Sequence, residues 1–334
     1  MSSTYGKNLK ISIFGQSHSE AIGVTIDGLP AGFPIDMEAL SAFLRRRAPG
    51  QSPLSTPRQE KDTPKFLCGL LDNVTCGAPL TAIIENQNQD SSAYAQMQNK
   101  PRPAHADFTA HEKYKGFEDV RGGGHFSGRL TAPLCIAGGI CKQLLEKESI
   151  SISAKLTEVG GKKEHFAETI AEAKAKKDSV GGVISCTVEG LPVGLGEPMF
   201  DGVENKIASA IFAIPAVKGI EFGDGFASAA LFGSQNNDAF YYDETGKVKT
   251  KTNHNGGILG GITSGMPLEF RVAMKPTPSI LLEQDTISYA PKENTKLEIT
   301  GRHDPCVALR AIPCVEAAAA IALYDLYLDL KQQN

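Results

Sequence analysis

Arg121-Gly-Gly-Gly-His125-Phe-Ser127-Gly128-Arg129-Leu-Thr131-Ala runs without a break into an apolar stretch over 133–145. Three glycines leave their backbone N–H groups uncovered by side chains, and Ser127 stands where it can cap a helix ending near 143–146. A helix N-terminus carries partial positive charge, and Arg121 and Arg129 add fixed charge on either side, so the stretch reads as an anion site feeding a buried helix. Two phosphate motifs come close and fail. Gly123 to Leu130 reads G-x-x-x-x-G-R-L and lacks the Lys and Ser/Thr with which a P-loop reaches phosphate and magnesium. Gly122, Gly124 and Ser127 miss the last glycine of a dinucleotide fingerprint, and no clear strand leads into them. Taken alone, a glycine-rich turn before a core helix explains the stretch equally well.

The rest of the chain tips that balance. Its 334 residues carry a net charge of -4, which argues against a general nucleic-acid or membrane-surface binder and makes any basic patch local. At 41% hydrophobic and 22% charged, the composition is that of an ordinary soluble protein. Seven cysteines are an odd number and none forms C-x-x-C, so they read as buried small hydrophobes in a reducing compartment, with no disulfide framework and no metal site. The N-terminus lacks the apolar core of a signal peptide, no apolar run looks long enough to span a membrane, and the expected location is cytoplasmic. Candidate functional loops are spread from 15 to 304 with no linker between them, which favours one composite site in a single domain, 1–334.

Gly15-Gln-Ser17-His18-Ser-Glu20 joins expected strands at 9–14 and 22–26, and His18 is a candidate general acid. Asp36 is positioned to cap a helix with an apolar face of Met37, Leu40, Phe43 and Leu44. That helix ends in Arg45-Arg46-Arg47, and with Arg58 beyond the next loop there is more charge than a helix dipole needs: an anion clamp. The polar stretch 86–99 reads as a surface loop or lid. In Lys100-Pro-Arg102-Pro-Ala104-His105-Ala-Asp107, two prolines present Arg102 and His105 stiffly before a helix that Asp107 is placed to cap. Further strands are expected at 66–71, 80–85, 150–158, 182–189 and 268–274, helices at 165–177 and 203–214, and a hairpin around Gly246. Lys275-Pro276-Thr277-Pro278-Ser279 again offers fixed donors to an anion. Gly301-Arg302-His303-Asp304 leads into a helix to about 330 that is apolar nearly all round, placing Asp304 at its positive end as a base or acceptor.

In order, G-x-S-H, R-R-x-P-G, R-P-x-H-A-D, R-G-G-G-x-x-S-x-R-x-T-A, G-G-I-L-G-G-I-x-S-G, K-P-T-x-S and G-R-H-D-P-C resemble the motifs of chorismate synthase, over essentially the whole chain. The resemblance implies an α+β fold, a β-α-β sandwich with long apolar helices between antiparallel sheets, assembled as a homotetramer. It implies loss of phosphate and a ring proton from 5-enolpyruvylshikimate 3-phosphate, with reduced FMN as cofactor and an external flavin reductase as its source. By the same resemblance His18 protonates the departing phosphate, His105 protonates the reduced flavin, and Ser17 and Asp304 act together at its N5. Arg47, Arg129 and Arg46 anchor substrate. His125, Phe126, Ser127, Ala216, Gly260, Lys275, Pro276, Thr277, Pro278, Ser279 and Arg302 match flavin-binding positions. Gln16, Ala104, His125 and Phe126 depart from the family's usual residues, and Pro53 replaces an arginine linked with pyridine-nucleotide contact. The rival readings are a phosphotransferase, which the missing P-loop residues disfavour, and a non-catalytic FMN carrier.

Overall fold

The computed structural model describes residues 3–50, 54, 62–86, 98–301 and 303–333. Strands with one apolar and one polar face build two antiparallel sheets. In Leu268–Met274 the residues Leu268, Phe270, Val272 and Met274 are buried and those between them exposed, as a half-solvated sheet requires. One sheet has the order Thr4–Tyr5, Lys10–Gly15, Ala21–Asp27, Leu80–Glu85, Lys65–Cys68. The other runs Val217–Phe222, Leu268–Met274, Gly182–Glu189, Ser151–Val159.

The helices in chain order are α1 (Met37–Arg47), α2 (Asp107–Tyr114), α3 (Thr131–Lys147), α4 (Phe166–Ala175), α5 (Val203–Ile211), α6 (Gly233–Asn236) and α7 (Ala308–Gln333). α3 lies against the first sheet, α7 against the second, and the two helices pack on each other between the sheets. This is the expected sandwich. α3 buries every residue from Thr131 to Cys141, so its apolarity has no outward face to spare. α7 is also long and apolar enough to cross a membrane, contrary to the expectation that no run is, but 83% of its most apolar window is buried inside the protein. Packing between sheets accounts for it.

The two central helices touch backbone to backbone. A Cβ built on Gly138 of α3 would lie 2.3 Å from Ala317 of α7. Gly138→Ala is therefore expected to cost roughly 1–3 kcal/mol, the usual penalty of overpacking a rigid core, read as a lower urea midpoint; an unchanged midpoint would mean the helices can slide apart freely. The few charges in this layer are all engaged. Asp325 accepts the backbone N–H groups of Lys7, Asn8 and Leu9 at 2.8–3.1 Å and so pins the first strands to α7. Glu316 takes both guanidinium arms of Arg46 at 2.7 and 2.8 Å and the N–H of Ala154 at 3.0 Å.

Most local expectations hold. Asp36 caps α1 through the N–H groups of Glu38 and Ala39, and a turn at Gly246 joins Phe240–Tyr242 to Val248–Thr250. Three differ. The strand expected at 66–71 stops at Cys68 and gives way to a small hairpin, Leu70–Leu71 with Val74–Thr75. The helix expected over 203–214 ends at Ile211. Asp107 does not cap α2, because its carboxylate turns back to the backbone N–H and guanidinium of Arg102. Arg58, Pro53 and the core of the 86–99 loop lie outside the described residues.

Candidate active site

The glycine run seats two imidazoles. Gly122, Gly123 and Gly124 have φ of 61°, 95° and 55°, a region side chains avoid. A Cβ on Gly122 would lie 2.2 Å from the ring of His18 and 2.7 Å from Ser17 Oγ; on Gly123 it would lie 3.1 Å from the ring of His105. Bare backbone here is a surface on which both rings rest.

Each ring is held from behind. Ser17 gives its single hydroxyl hydrogen to the carbonyl of Arg121 at 3.0 Å, so its oxygen accepts from Nδ1–H of His18 at 3.1 Å. His105 Nδ1 is 2.5 Å from Asp107 Oδ1 and 3.1 Å from Arg102 Nη2. Nδ1 can donate to Asp107 or accept from Arg102 but not both, and the shorter, charge-assisted contact decides: Nδ1–H donates to Asp107. Arg102 grips the same carboxylate through Nε at 2.7 Å and Nη2 at 2.8 Å.

His18 and His105 open on a cavity of about 660 Å³, a size suited to small-molecule ligands. Arg47, Arg102, Arg129 and Arg310 line it, and each is oriented by a carboxylate. Buried Asp62 pairs with Arg47 Nη1 at 2.7 Å and also with Arg129. Arg310 Nη1 donates to Asp304 at 2.6 Å, and Asp107 holds Arg102. Among the described residues, four guanidinium groups against three carboxylates leave excess positive charge, to which Lys275 and the N-terminal ends of α3 and α7 add. Ser127 caps the short 3-10 turn entering α3 by accepting the N–H of Arg129 at 3.2 Å.

Of the residues singled out in the sequence, His18, His105, Asp304, Arg47, Arg129, His125, Phe126, Ser127, Ala216, Lys275, Thr277, Pro278 and Ser279 line this one cavity. Ser17 stands behind His18. Arg46 faces the other way, onto Glu316, and neither Gly260 nor Pro276 reaches the cavity; Gly260 sits in the turn between Ile258–Leu259 and Ile262–Thr263. Arg302 lies outside the described residues. His125 has both ring nitrogens engaged, Nδ1–H donating to the carbonyl of Gly15 at 2.7 Å and Nε2 accepting from Ser3 Oγ at 2.7 Å. Lys275 Nζ donates to the carbonyl of Ala104 and ties its loop to that of His105. Asp62, Arg310 and Thr131 were missed. Arg310 had a signal, a single basic residue inside an apolar helix.

Burial raises the pKa of Asp62, but Arg47 and Arg129 outweigh it and the net shift is downward. Asp107 is likewise raised by burial and pulled further down, well below the usual carboxylate range, by its hydrogen bonds to Arg102 and His105. A folded-state pKa below the unfolded value gives stability that is present above about pH 4 and lost as pH falls toward the folded value. Acid titration of the urea midpoint is expected to show a fall beginning near pH 4 that is shallower in Asp62→Asn and Asp107→Asn; identical slopes in all three proteins would contradict the assignment.

A layered α+β enzyme with an arginine-lined cavity and two seated imidazoles is built for acid–base work on a small, multiply anionic molecule. The chain belongs to the chorismate synthase family, whose model matches residues 9–328. A chorismate synthase of Chitinophaga pinensis is 50% identical over 331 residues, covering 99% of this chain and 98% of that protein. One from Thermococcus kodakarensis is 44% identical over 342 residues, covering 96% of each. A crystal structure of chorismate synthase matches at a TM-score of 0.76 and 26% identity, covering 98% of this chain and 93% of the other.

Proposed function

We propose that the chain converts 5-enolpyruvylshikimate 3-phosphate to chorismate by 1,4-anti elimination of phosphate and a ring proton, the last step of the shikimate pathway and a step toward the aromatic amino acids. The observation that carries this reading is the seating of His18 and His105 on one glycine run, at the wall of a cavity lined by four arginines. The substrate bears one phosphate and two carboxylates, and rigid guanidinium groups suit all three. Arg47 and Arg129 are the proposed anchors, with Arg102 and Arg310 beside them. Arg46 loses its place as an anchor: bound to Glu316, it fixes the end of α1 so that its neighbour Arg47 keeps its direction.

His18 is the proposed acid for the departing phosphate, its ring orientation set by Ser17. His105 holds a proton whose position Asp107 and Arg102 control. Asp304, steadied by Arg310, is the proposed acceptor for the ring proton. The cofactor proposed is reduced FMN, which lends electron density transiently with no net redox change. The cavity suits it: the buried hydroxyl of Thr277 has no hydrogen-bond partner among the described residues, and it lies in the loop of donors from Lys275 to Ser279. His125, Phe126, Ser127, Ala216, Lys275, Thr277, Pro278 and Ser279 would hold the flavin. Pro276, Gly260 and Arg302 keep their proposed part by resemblance alone.

A separate flavin reductase is the proposed source of reduced FMN. A homotetramer is supported by large apolar side chains left bare: Phe226, Phe232, Phe240 and Tyr242 are 88, 76, 62 and 77% exposed. The proposed setting is the cytoplasm, which suits a chain whose seven cysteines are all free thiols.

The test is anaerobic incubation with 5-enolpyruvylshikimate 3-phosphate and photoreduced FMN, following phosphate and chorismate against an oxidised-FMN control. Both products appear only with reduced flavin if the reading is right. Tight FMN binding with no product would favour the carrier instead.

A further inference from the structure

The elimination leaves two sulfurs unused at the back of the cavity. Cys135 on α3 and Cys314 on α7 face each other across the helix crossing, three residues before the Gly138–Ala317 contact on each helix. Their Sγ atoms are 3.8 Å apart and both thiols are buried. Cys314 also lines the cavity, while Cys135 lies behind it. The contact from Cys135 and, next among the attractive influences, the charge of Arg47 draw the pKa of Cys314 down to about 7 against the effect of burial. Burial drives that of Cys135 the other way. One sulfur with thiolate character that a small oxidant can reach, backed by a neutral thiol in contact with it, is the arrangement of an attacking and a resolving cysteine.

We propose that Cys135 and Cys314 form a thiol redox site beneath the anion cavity, closing reversibly to a disulfide when a hydroperoxide enters. The Cys314 thiolate attacks one oxygen of hydrogen peroxide and becomes a sulfenic acid as the O–O bond breaks; the departing hydroxide takes up the proton that the thiol had released and leaves as water. Cys135 then attacks the sulfenic sulfur, the S–S bond forms, and the hydroxyl departs as a second water. Two thiols and one peroxide thus become one disulfide and two waters. The sulfurs must close from 3.8 Å to about 2.05 Å, and they are already in contact with no other side chain needing to move from between them. Closure draws the Cys314 sulfur off the cavity wall beside Arg47. In a reducing compartment the dithiol is the resting state, and a dithiol reductant reopens the bond.

The purified full-length chain is treated with hydrogen peroxide, denatured, alkylated and mapped by mass spectrometry; neither FMN nor substrate is needed, so the outcome is separate from that of the elimination assay. Two of the seven thiols are expected to disappear, with a linked peptide pair carrying Cys135 and Cys314 that dithiothreitol splits. Survival of all seven, or loss confined to the exposed Cys68 and Cys76, overturns the proposal. Cys135→Ala is expected to give no linked peptide and to carry Cys314 on to the sulfinic acid. Cys314 found joined to another cysteine in that variant would also overturn the pairing.

Discussion

Replacing His18 with alanine is expected to lower kcat by on the order of 10²-fold or more, with the fold intact, because a positioned general acid contributes 10²–10⁴-fold. The ring is buried but borders the open cavity, so its loss is expected to show in turnover before it shows in stability. It rests on Gly122, takes its orientation from Ser17 Oγ and faces the cavity. A second substitution reaches the same ring without touching it. In Gly122→Ala the new methyl arrives 2.2 Å from the imidazole, at a φ of 61° that alanine tolerates poorly, so the ring must leave its seat. Both variants are expected to lose kcat with substrate affinity changed far less, since Arg47 and Arg129 stay in place. Normal turnover in Gly122→Ala, with the variant folded, would show that His18 need not sit where it does. Equal losses of affinity and turnover in both would move His18 from proton donor to substrate anchor.

How much of this could be read in the sequence depends on how local each feature is. Period-two alternation in 268–274 and the all-round apolar helix at the C-terminus disclose a sandwich core, because both signals lie within one element. The seating of two rings on the glycine run was not readable in that way. His18, His105 and Gly122 are joined only by the folded chain; in the sequence the run reads as a source of amide N–H groups, whereas its lack of side chains is what the rings use. Arg46 and Arg47 show the same limit. They are neighbours in one arginine cluster, yet successive residues on a helix point about 100° apart, so one reaches Asp62 and the cavity while the other reaches Glu316. Arg310, Glu316 and Asp325, the charges in the buried part of α7, are the further cue: a charge within an apolar run must have a partner, and all three do.

Arg47→Ala is expected to destabilise the fold by about 3–5 kcal/mol and to raise KM strongly, and the two effects have separable causes. Arg47 is buried; its Nε donates to Thr131 Oγ1 at 3.0 Å, Nη1 to Asp62 at 2.7 Å and Nη2 to the carbonyl of Gly128 at 2.8 Å. Removing it leaves buried Asp62 with Arg129 as its one ion-pair partner among the described residues and strips the start of α3 of two hydrogen bonds. The cost falls on the carboxylate left behind, so removing that carboxylate too is expected to recover part of the stability: Arg47→Ala with Asp62→Ala unfolds at higher urea than Arg47→Ala by itself. Substrate affinity is expected not to recover, because an anion cannot bind to a guanidinium that is absent. Arg47→Lys keeps the charge and loses the fork, and belongs between the two in stability while still binding substrate weakly. If the double variant regained KM along with stability, Arg47 would be a structural pair for Asp62 alone, and the anion would have to rest on Arg129, Arg102 and Arg310.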